Sequence, residues 1–440
     1  MKRLFFGGIH PKDKKEMSTG NIDIKSIIPK YVVIPMLQHI GMECTPMVQV
    51  GDRVLKNQKI GDGEGLCVPV HASVAGTVVA IESRPNTNGK AVMSVVIEND
   101  FSDEEVEATP NQDPMNSLSD DEILKIIRDA GIIGMGGAAF PSNVKAASAL
   151  GRVEYLIANA CECEPYITAD DVLLRTAPQQ VLKGMRVLKK ILNPTHAILA
   201  IEDNKKEAIK VISELLVSFP DIELRVLPTR YPQGSEKQLV QAISGRRIPS
   251  GKLPADVGCA VFNAASFAAI FRAVYCGVPL TERIVTVSGE AVLEPQNFSA
   301  RIGTSFEDLI EAAGGASENI DRVICGGPMM GSAQSDLSVP VVKATNSILC
   351  LPKEEGIEVQ NPTCLRCGKC ITVCPMGLQP LYLYRYFGCG DIKELERLHQ
   401  MDCIECGSCA YICPGKLPLT EQCRKGKALL REAKAKEEER

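Results

Sequence analysis

The sequence predicts a multidomain α/β protein, and three observations along its 440 residues support this fold class. Residues 1–100 carry short β-branched runs between Gly, Pro and Asn, which is typical of a small β-sandwich. Residues 119–280 alternate between strand and helix patterns, which predicts a parallel sheet covered by helices. Two dense cysteine runs follow near the C-terminus. The length allows about three domains of ordinary size.

The composition excludes some classes of function. With 45% hydrophobic and 23% charged residues, the chain has the composition of an ordinary globular protein. Its net charge is −5, it has no tryptophan, and only 5% of its residues are aromatic, so we expect no nucleic-acid partner. The longest apolar stretch, Cys259 to Leu280, contains Arg272 and is predicted to be a buried helix rather than a membrane span. The start lacks a signal-peptide pattern, so we expect a cytoplasmic protein.

Residues 1–100 are predicted to form a barrel-sandwich hybrid. Val74–Ile81 and Ala91–Ile97 are strand-like, and the segment resembles the biotinyl and lipoyl carrier domains. It lacks the Met-Lys-Met tip of those carriers, so we expect a structural module. Residues 101–118 are acidic, contain two prolines and are predicted to be a linker.

Residues 119–280 are predicted to form a Rossmann-like α/β domain. Ser119 and Glu122 form a capping box at the start of the first helix, which Gly131 ends. The predicted strands are Val153–Ala160, Ala197–Ile201 and Glu223–Leu227, and the predicted helices that follow the first are Asn143–Leu150, Lys205–Phe219 and Ser235–Ser244.

Residues 281–345 return to a β pattern. A strand over Ile284–Val287 and a helix over Thr304–Ala313, closed by two glycines, fit a β-grasp unit. Beyond it, residues 355–423 are rich in cysteine. Residues 424–440 are predicted to be a charged, solvated helical tail.

Both cysteine runs have the spacing C-x2-C-x2-C-x3-C-P, which predicts two [4Fe-4S] clusters. At this spacing three thiolates bind one cubane, and the fourth cysteine binds the other cluster. The alternative, a zinc site, uses ligands in pairs. Helical patterns over Leu381–Phe387 and Ile392–Leu398 predict the α-helical variant of a two-cluster ferredoxin, and most of the other ten cysteines are expected to be buried apolar residues. The predicted ligands are Cys364, Cys367, Cys370 and Cys413 for the first cluster, and Cys403, Cys406, Cys409 and Cys374 for the second.

Two loops of the α/β domain carry candidate binding groups. Residues 134–141, which read GMGGAAFP, can bring backbone amides close to an anion, and Ser142 is expected to cap the next helix. Residues 159–165, which read NACECEP, follow a predicted strand, where ligands of parallel sheets bind. Their carboxylates can accept hydrogen bonds from ribose hydroxyls and repel a 2′-phosphate, which favours NAD over NADP. From the residues alone, a plain turn and solvated loop charges remain alternatives.

These loops carry a resemblance to a known family. Gly134–Lys145 is similar to the GRGGAGFPTGxKW stretch of the flavin subunit of respiratory complex I, and Asn159–Pro165 is similar to its NADEGEP. Gly234-Ser235-Glu236 with the residues that follow resembles its GEETAL…EG. Residues 282–315 resemble the soluble-ligand-binding β-grasp (SLBB) domain of that family. Two departures are Met135 in place of Arg and Cys161 in place of Asp.

A second resemblance covers essentially the whole chain. The N-terminal FGGIHP, together with GMGGAAFP and NACECEPY, is similar to the RnfC family of the Rnf electron-transport complex. The extra N-terminal barrel and the second cluster motif also separate the chain from complex I. This resemblance implies FMN, two [4Fe-4S] clusters, and NAD(H) as substrate. It implies hydride transfer between NAD(H) and FMN, followed by one-electron relay through the clusters, in a membrane-bound, ion-translocating ferredoxin:NAD+ oxidoreductase.

The same resemblance implies partners and site residues. The partners are other subunits of the complex, including an iron-sulfur subunit, with ferredoxin reached indirectly, and the location is peripheral at the cytoplasmic face of the cell membrane. Phe140 and Glu164 are implied to position the nicotinamide. The implied cofactor-binding residues are Gly134, Gly136, Gly137, Lys145, Asn159, Glu162, Gly234, Glu236, Lys252 and Asn263.

Two other functions remain as alternatives. Corrinoid (cobalamin) reductases look similar but begin with the flavin domain, whereas this chain begins with the barrel. A non-catalytic iron-sulfur adaptor that has lost its nucleotide would fit Met135 and Cys161, and bound FMN would exclude it.

Overall fold

The computed structural model describes residues 5–20, 22–353 and 362–438, arranged as four units and an N-terminal arm. The arm, residues 5–20, contains the short helix α1 (Glu16–Thr19) and lies across the other units rather than in the barrel. The next strand, β1 (Lys25–Ile27), also leaves the barrel and pairs with a strand of the β-grasp unit. The predicted beginning of the cysteine-rich domain at residue 355 and the last two residues of the tail lie outside the described residues.

The barrel begins at residue 31, and its two sheets confirm the barrel-sandwich prediction. One sheet has the strand order β2-β8-β7-β4 and the other has the order β3-β5-β6. Val32, Val54, Ile60 and Val95 fill the space between the sheets and are completely buried. The strands are β2 (Tyr31–Pro35), β3 (Thr45–Pro46), β4 (Arg53–Val54), β5 (Lys59–Asp62), β6 (Val70–His71), β7 (Gly76–Pro85) and β8 (Ala91–Asn99).

The α/β domain has a four-stranded parallel sheet in the order β11-β10-β9-β12. Its carboxyl edge gathers the loops that follow each strand, as the alternating pattern predicts. The strands are β9 (Tyr155–Ala160), β10 (His196–Glu202), β11 (Glu223–Leu227) and β12 (Cys259–Asn263). The helices are α2 (Pro114–Ser117), α3 (Asp120–Asp129), α4 (Ser142–Ala149), α5 (Ala169–Thr176), α6 (Pro178–Leu192), α7 (Lys206–Leu215), α8 (Glu236–Ser244) and α9 (Ala264–Cys276), with 3-10 turns at Leu216–Ser218 and Pro254–Val257.

Two local predictions in this domain are wrong. The apolar stretch from Cys259 is a buried strand followed by helix α9, because an unbroken apolar run does not distinguish a strand from a helix. Ser142 is the first residue of α4 and its side chain caps nothing; the N-cap is Pro141. The capping box of Ser119 and Glu122 is confirmed.

The β-grasp unit has a six-stranded sheet in the order β1-β14-β13-β17-β15-β16. The N-terminal strand β1 therefore ties the start of the chain to this unit. Its elements are β13 (Glu282–Ser288), β14 (Gln296–Arg301), α10 (Phe306–Ala312), β15 (Ile320–Cys325), β16 (Ser332–Gln334) and β17 (Ser347–Pro352).

The cysteine-rich domain is helical, as predicted. The last helix begins five residues before the predicted tail, and Cys423 and Leu430 on it are buried against Leu383 and Leu395. The prediction of a wholly solvated tail is therefore wrong. The helices are α11 (Lys369–Thr372), α12 (Pro380–Gly388), α13 (Ile392–Arg397), α14 (Ser408–Tyr411) and α15 (Leu419–Glu438), with a 3-10 turn at Gln400–Asp402. Across the described residues, no helix has both the length and the apolar character needed to span a membrane.

Candidate functional site

The glycine loop, residues 134–140, is closed by its own backbone and open at its rim. Gly134 N donates to Phe140 O at 2.8 Å, and Met135 N donates to Ser266 Oγ at 2.9 Å. The peptide N–H groups of Gly136, Gly137 and Ala138 form no hydrogen bond within the described residues, and all three residues are exposed. Successive free amides in a glycine-rich turn are typical of an anion-binding loop.

Buried polar atoms without partners lie close to this loop in the chain. Ser142 Oγ and Asn143 Oδ1, in the first turn of α4, are buried and have no hydrogen-bond partner among the described residues. The same holds for Glu162 Oε2. Because buried polar atoms are nearly always satisfied, these three atoms fit a polar ligand. Sequence reasoning missed Ser142 and Asn143 as candidates, since it treated Ser142 as a cap.

The acidic loop, residues 159–165, follows β9 and is fixed by Gly234. Asn159 Nδ2 donates to Gly234 O at 2.8 Å, and Gly234 N donates to Cys163 Sγ at 3.3 Å. A Cβ atom at residue 234 would lie 2.1 Å from Cys161 O, so only glycine allows this approach. The structure thus brings the predicted residues Asn159 and Gly234 together.

A second contact joins the acidic loop to the start of α9. Asp170 N donates to Glu162 Oε1 at 2.8 Å, and Asn263 Nδ2 donates to Asp170 Oδ2 at 2.6 Å. Burial, and then the charge of Glu162, raise the pKa of Asp170 to about 7. A Cβ atom at Gly136 would lie 3.2 Å from Asn263 Cβ, so the glycine loop packs closely on this group. Sequence reasoning missed Asp170.

Lys145 and Glu236 form an ion pair at the edge of the site. Their Nζ and Oε1 atoms are 2.6 Å apart, and both side chains are partly exposed. The Lys145 ammonium also lies 5.4 Å from the centre of the Phe262 ring. Lys252 is not part of this group. It is exposed, and its charge contributes to the lowered pKa of Asp256. No hydrogen bond joins its side chain to the described part of the site.

Glu164 is half-buried where the acidic loop contacts the β-grasp unit and Tyr231. Its Oε2 accepts a hydrogen bond from Met329 N at 3.1 Å, and its Oε1 lies 3.4 Å from Tyr231 Oη. A Cβ atom at Gly327 would lie 2.2 Å from Oε2. Burial raises the pKa of Glu164 to about 7. The carboxylate therefore joins the acidic loop to the β-grasp unit, whereas Phe140 stays half-buried in the glycine loop.

A lysine of the N-terminal arm supports the acidic loop from beneath. Lys15 is buried and its Nζ donates to the carbonyl oxygens of Glu164, at 2.8 Å, and Ile167. Burial lowers its pKa to about 8, against the opposite effect of the carboxylates of Glu162 and Glu202. No local pattern in the sequence distinguishes this lysine, so it was not a candidate.

The cysteines of the C-terminal domain fall into two groups. Cys374, Cys403, Cys406 and Cys409 line one cavity. Cys370 lies near Cys413 and Cys367: burial raises the pKa of its thiol, and the charges of these two cysteines raise it further. This grouping is the crossed one that the spacing predicts, and the individual ligand assignments stay predictions. Cys423, which sequence reasoning treated as an ordinary apolar residue, lines the same cavity beside Cys403.

The two cysteine groups differ in their distance from the acidic loop. Tyr231 Oη donates to Cys406 O at 2.7 Å, and Cys163 of the acidic loop packs in the same cluster as Cys406. The cavity therefore lies directly behind the acidic loop. Cys367, in the other group, is exposed at the surface.

Four family models match the chain in the predicted order. They are the RnfC barrel-sandwich hybrid domain over residues 3–102, the Nuo51 FMN-binding domain over residues 127–272, the SLBB domain over residues 284–333 and the 4Fe-4S dicluster domain over residues 356–414. They confirm the predicted domain types and the predicted cofactors, FMN and [4Fe-4S] clusters.

Curated relatives match over most of the chain. The RnfC subunit of the Na+-translocating ferredoxin:NAD+ oxidoreductase complex of Acetobacterium woodii is 43% identical over 87% of this chain and 87% of its own length. Its counterpart in the proton-translocating complex of Clostridium ljungdahlii is 43% identical over 87% of this chain and 84% of its own length. The corresponding subunit of the ion-translocating oxidoreductase complex of Serratia proteamaculans is 41% identical over 90% of this chain and 57% of its own length. With this identity and coverage, the chain belongs to the RnfC family.

Proposed function

We propose that this chain is the NAD(H)-reactive subunit of an ion-translocating ferredoxin:NAD+ oxidoreductase. It would work with the other Rnf subunits as a peripheral protein at the cytoplasmic face of the membrane. The observation that carries the proposal is the position of the cysteine-lined cavity directly behind the acidic loop, where Tyr231 contacts both Glu164 and Cys406. The proposed nucleotide site and the proposed cluster site would therefore lie on the two sides of the acidic loop.

The residues present fit FMN at the glycine loop. The free amides of Gly136, Gly137 and Ala138 suit the phosphate, and the unpartnered Ser142 and Asn143 supply further polar atoms beside them. FMN exchanges a hydride for single electrons, and [4Fe-4S] clusters pass those electrons on.

The acidic loop would supply polar contacts to the rest of the flavin. Asn159 and Glu162 stand at the carboxyl end of β9, and Asn263 stands at the end of the neighbouring strand. Glu162 Oε2 is free to accept a hydrogen bond. Glu164 is already bonded within the protein, so its part is to hold the acidic loop in place.

Preference for NAD(H) over NADP(H) would come from Glu236. Its carboxylate is partly exposed beside Lys145, whereas Glu164 is bonded within the protein and the free oxygen of Glu162 is buried. A carboxylate at this edge can accept a bond from a ribose hydroxyl and repels a 2′-phosphate.

The proposal is tested by an anaerobic titration of the cluster-reconstituted protein supplied with FMN. We expect NADH to bleach the flavin at one equivalent and NADPH to have little effect. In Glu236→Gln the response to NADPH should increase. The matched control Glu207→Gln, an exposed carboxylate on α7, should behave as wild type. Protein that retains no flavin, or that responds to neither nucleotide, would support the adaptor function instead.

A further inference from the structure

A third group of thiols lies in the barrel and shares no residue with the proposed flavin and cluster sites. His39, Cys44 and Cys67 are buried, and one ligand atom from each lies within 4.8 Å of the other two. The two Sγ atoms are 3.3 Å apart. The residues come from three segments: the turn after β2, the residue before β3 and the loop before β6. Nothing in the flavin or ferredoxin chemistry uses them.

We propose that His39, Cys44 and Cys67 form a zinc site with three protein ligands and a fourth position for solvent. Two thiolates and an imidazole are typical ligands of zinc, whereas Mg2+ and Ca2+ are bound by oxygen atoms. Zinc is four-coordinate in such sites, so a solvent molecule would complete its tetrahedron.

The imidazole of His39 is held in the form that a metal requires. The backbone N–H of Val68 can only donate, so Nε2, 3.2 Å away, accepts and carries the lone pair. The proton is therefore on Nδ1, which donates to Ile40 O at 3.2 Å. A histidine ligand commonly donates its second ring N–H to a backbone carbonyl in this way. Zinc would replace the single bond from Val68 N, a small loss beside the binding of a structural zinc ion.

The charges also favour a metal at this position. The two buried sulfurs lie 3.3 Å apart, too close for both to be thiolates without a cation between them. Binding of Zn2+ would release two protons to solvent, and the ion with two thiolates and a neutral imidazole has no net charge. Lys343 Nζ is nearby but already donates to Pro69 O and Gly131 O, so it is not their counter-ion.

A disulfide is the competing outcome for the two cysteines. It would need an S–S distance of about 2.0 Å and an oxidant that accepts two electrons from the thiols. It would also leave the oriented imidazole without a role. The zinc site uses all three side chains and needs no co-reactant.

The site stands where the barrel supports the glycine loop. Ile40 N donates to Ala139 O at 3.0 Å, and Val68 packs in the core of the α/β domain. Both residues are direct neighbours of a proposed ligand. The zinc ion would therefore fix the edge of the barrel against the flavin-binding loop.

The test is metal analysis of the full chain purified anaerobically with both clusters. Zinc and iron are counted together, because empty cluster motifs also bind zinc, and only samples with about eight irons are used. We expect about one zinc per chain in wild type. Its X-ray absorption should show two sulfurs at about 2.3 Å and a nitrogen at about 2.0 Å.

Variants separate this site from the others. In Cys67→Ser and His39→Gln we expect at least a tenfold loss of zinc with iron unchanged. Cys350→Ser, a buried thiol of the β-grasp sheet, should retain zinc. Wild-type protein with less than a tenth of a zinc per chain, zinc retained in Cys67→Ser, or a Cys44–Cys67 disulfide found by non-reducing mass spectrometry would each overturn the proposal. The wild-type absorption spectrum decides the question if a variant fails to fold.

Discussion

The substitution Gly234→Ala tests the proposed flavin site, because it adds one methyl group at a close contact. The Cβ atom of Gly234→Ala would lie 2.1 Å from Cys161 O and 3.3 Å from Cys163 Sγ. Because packed atoms do not approach so closely, the acidic loop must move by about 1 Å to accept alanine. That movement would break the 2.8 Å bond from Asn159 to Gly234 O.

The magnitude follows from these two changes. Overpacking of this kind costs ~1–3 kcal/mol, and the lost hydrogen bond adds ~1 kcal/mol. If this total of ~2–4 kcal/mol falls on the flavin-binding conformation, the affinity for FMN decreases by ~30-fold to ~700-fold, since each 1.4 kcal/mol is tenfold. Flavin fluorescence titration of the cluster-containing protein measures this affinity, and the iron content reports on the rest of the fold.

Gly388→Ala is the matched control. A Cβ atom at this position in α12 meets no atom within 4 Å, so both FMN and iron binding should remain as in wild type. Gly234→Ala protein that binds FMN as tightly as wild type would refute the placement of the flavin site beside the acidic loop. A loss of iron equal to the loss of flavin would show instead a collapse of the whole domain arrangement.

Two further predictions concern the carboxylate of Glu164 and the proposed cluster ligands. Burial raises the pKa of Glu164 from 4.5 to about 7. Between these two pH values the folded protein keeps a proton that the unfolded chain has released. The stability of the folded protein therefore falls as the pH rises from 4.5 to 7. Glu164→Gln should therefore raise the Tm by a few degrees at pH 8 and leave it unchanged at pH 4; equal shifts at both pH values would contradict this. For the ligands, the double variant Cys374→Ser, Cys403→Ser should have the EPR spectrum of Cys403→Ser alone, because crossed ligation assigns both residues to one cluster. Loss of both cluster signals in this double variant would exclude crossed ligation.

The strands that carry the site could be predicted where a pattern within a short segment of the sequence determines them. The strands β9, β10 and β11 were predicted to within two residues, because β9 and β10 are buried apolar runs and β11 alternates between apolar and polar residues. Asn159 and Glu162 could therefore be placed at the carboxyl edge of the sheet in advance. The apolar stretch from Cys259 was misassigned, and with it the position of Asn263 as a helix N-cap at a strand end was missed.

The residues of the site that the sequence did not predict depend on contacts between distant segments. Lys15 reaches the carbonyl of Glu164 across 149 positions, and Met329 reaches its carboxylate across 165. No periodicity or turn signal encodes such contacts, since each residue is ordinary in its own segment. Cys423 is similar: it lies outside both cluster motifs, and only the packing of α15 brings it to the cavity. The exact domain boundaries likewise stay predictions.

The N-terminal arm connects the α/β domain, which carries the proposed flavin site, to the second cysteine group. Gly8 N donates to Val373 O at 2.8 Å, and a Cβ atom at Gly7 would lie 2.6 Å from Cys374 O, so the arm contacts the backbone of a proposed cluster ligand. Ile9 then pairs with Tyr231, whose hydroxyl donates to Cys406 O. The contacts of Gly8 and Ile9 are between backbones and the Tyr231 side chain is buried, so these contacts leave little room for the two units to shift. The FGGIHP motif is therefore best understood as a clamp between two redox sites, with its glycines needed for close approach.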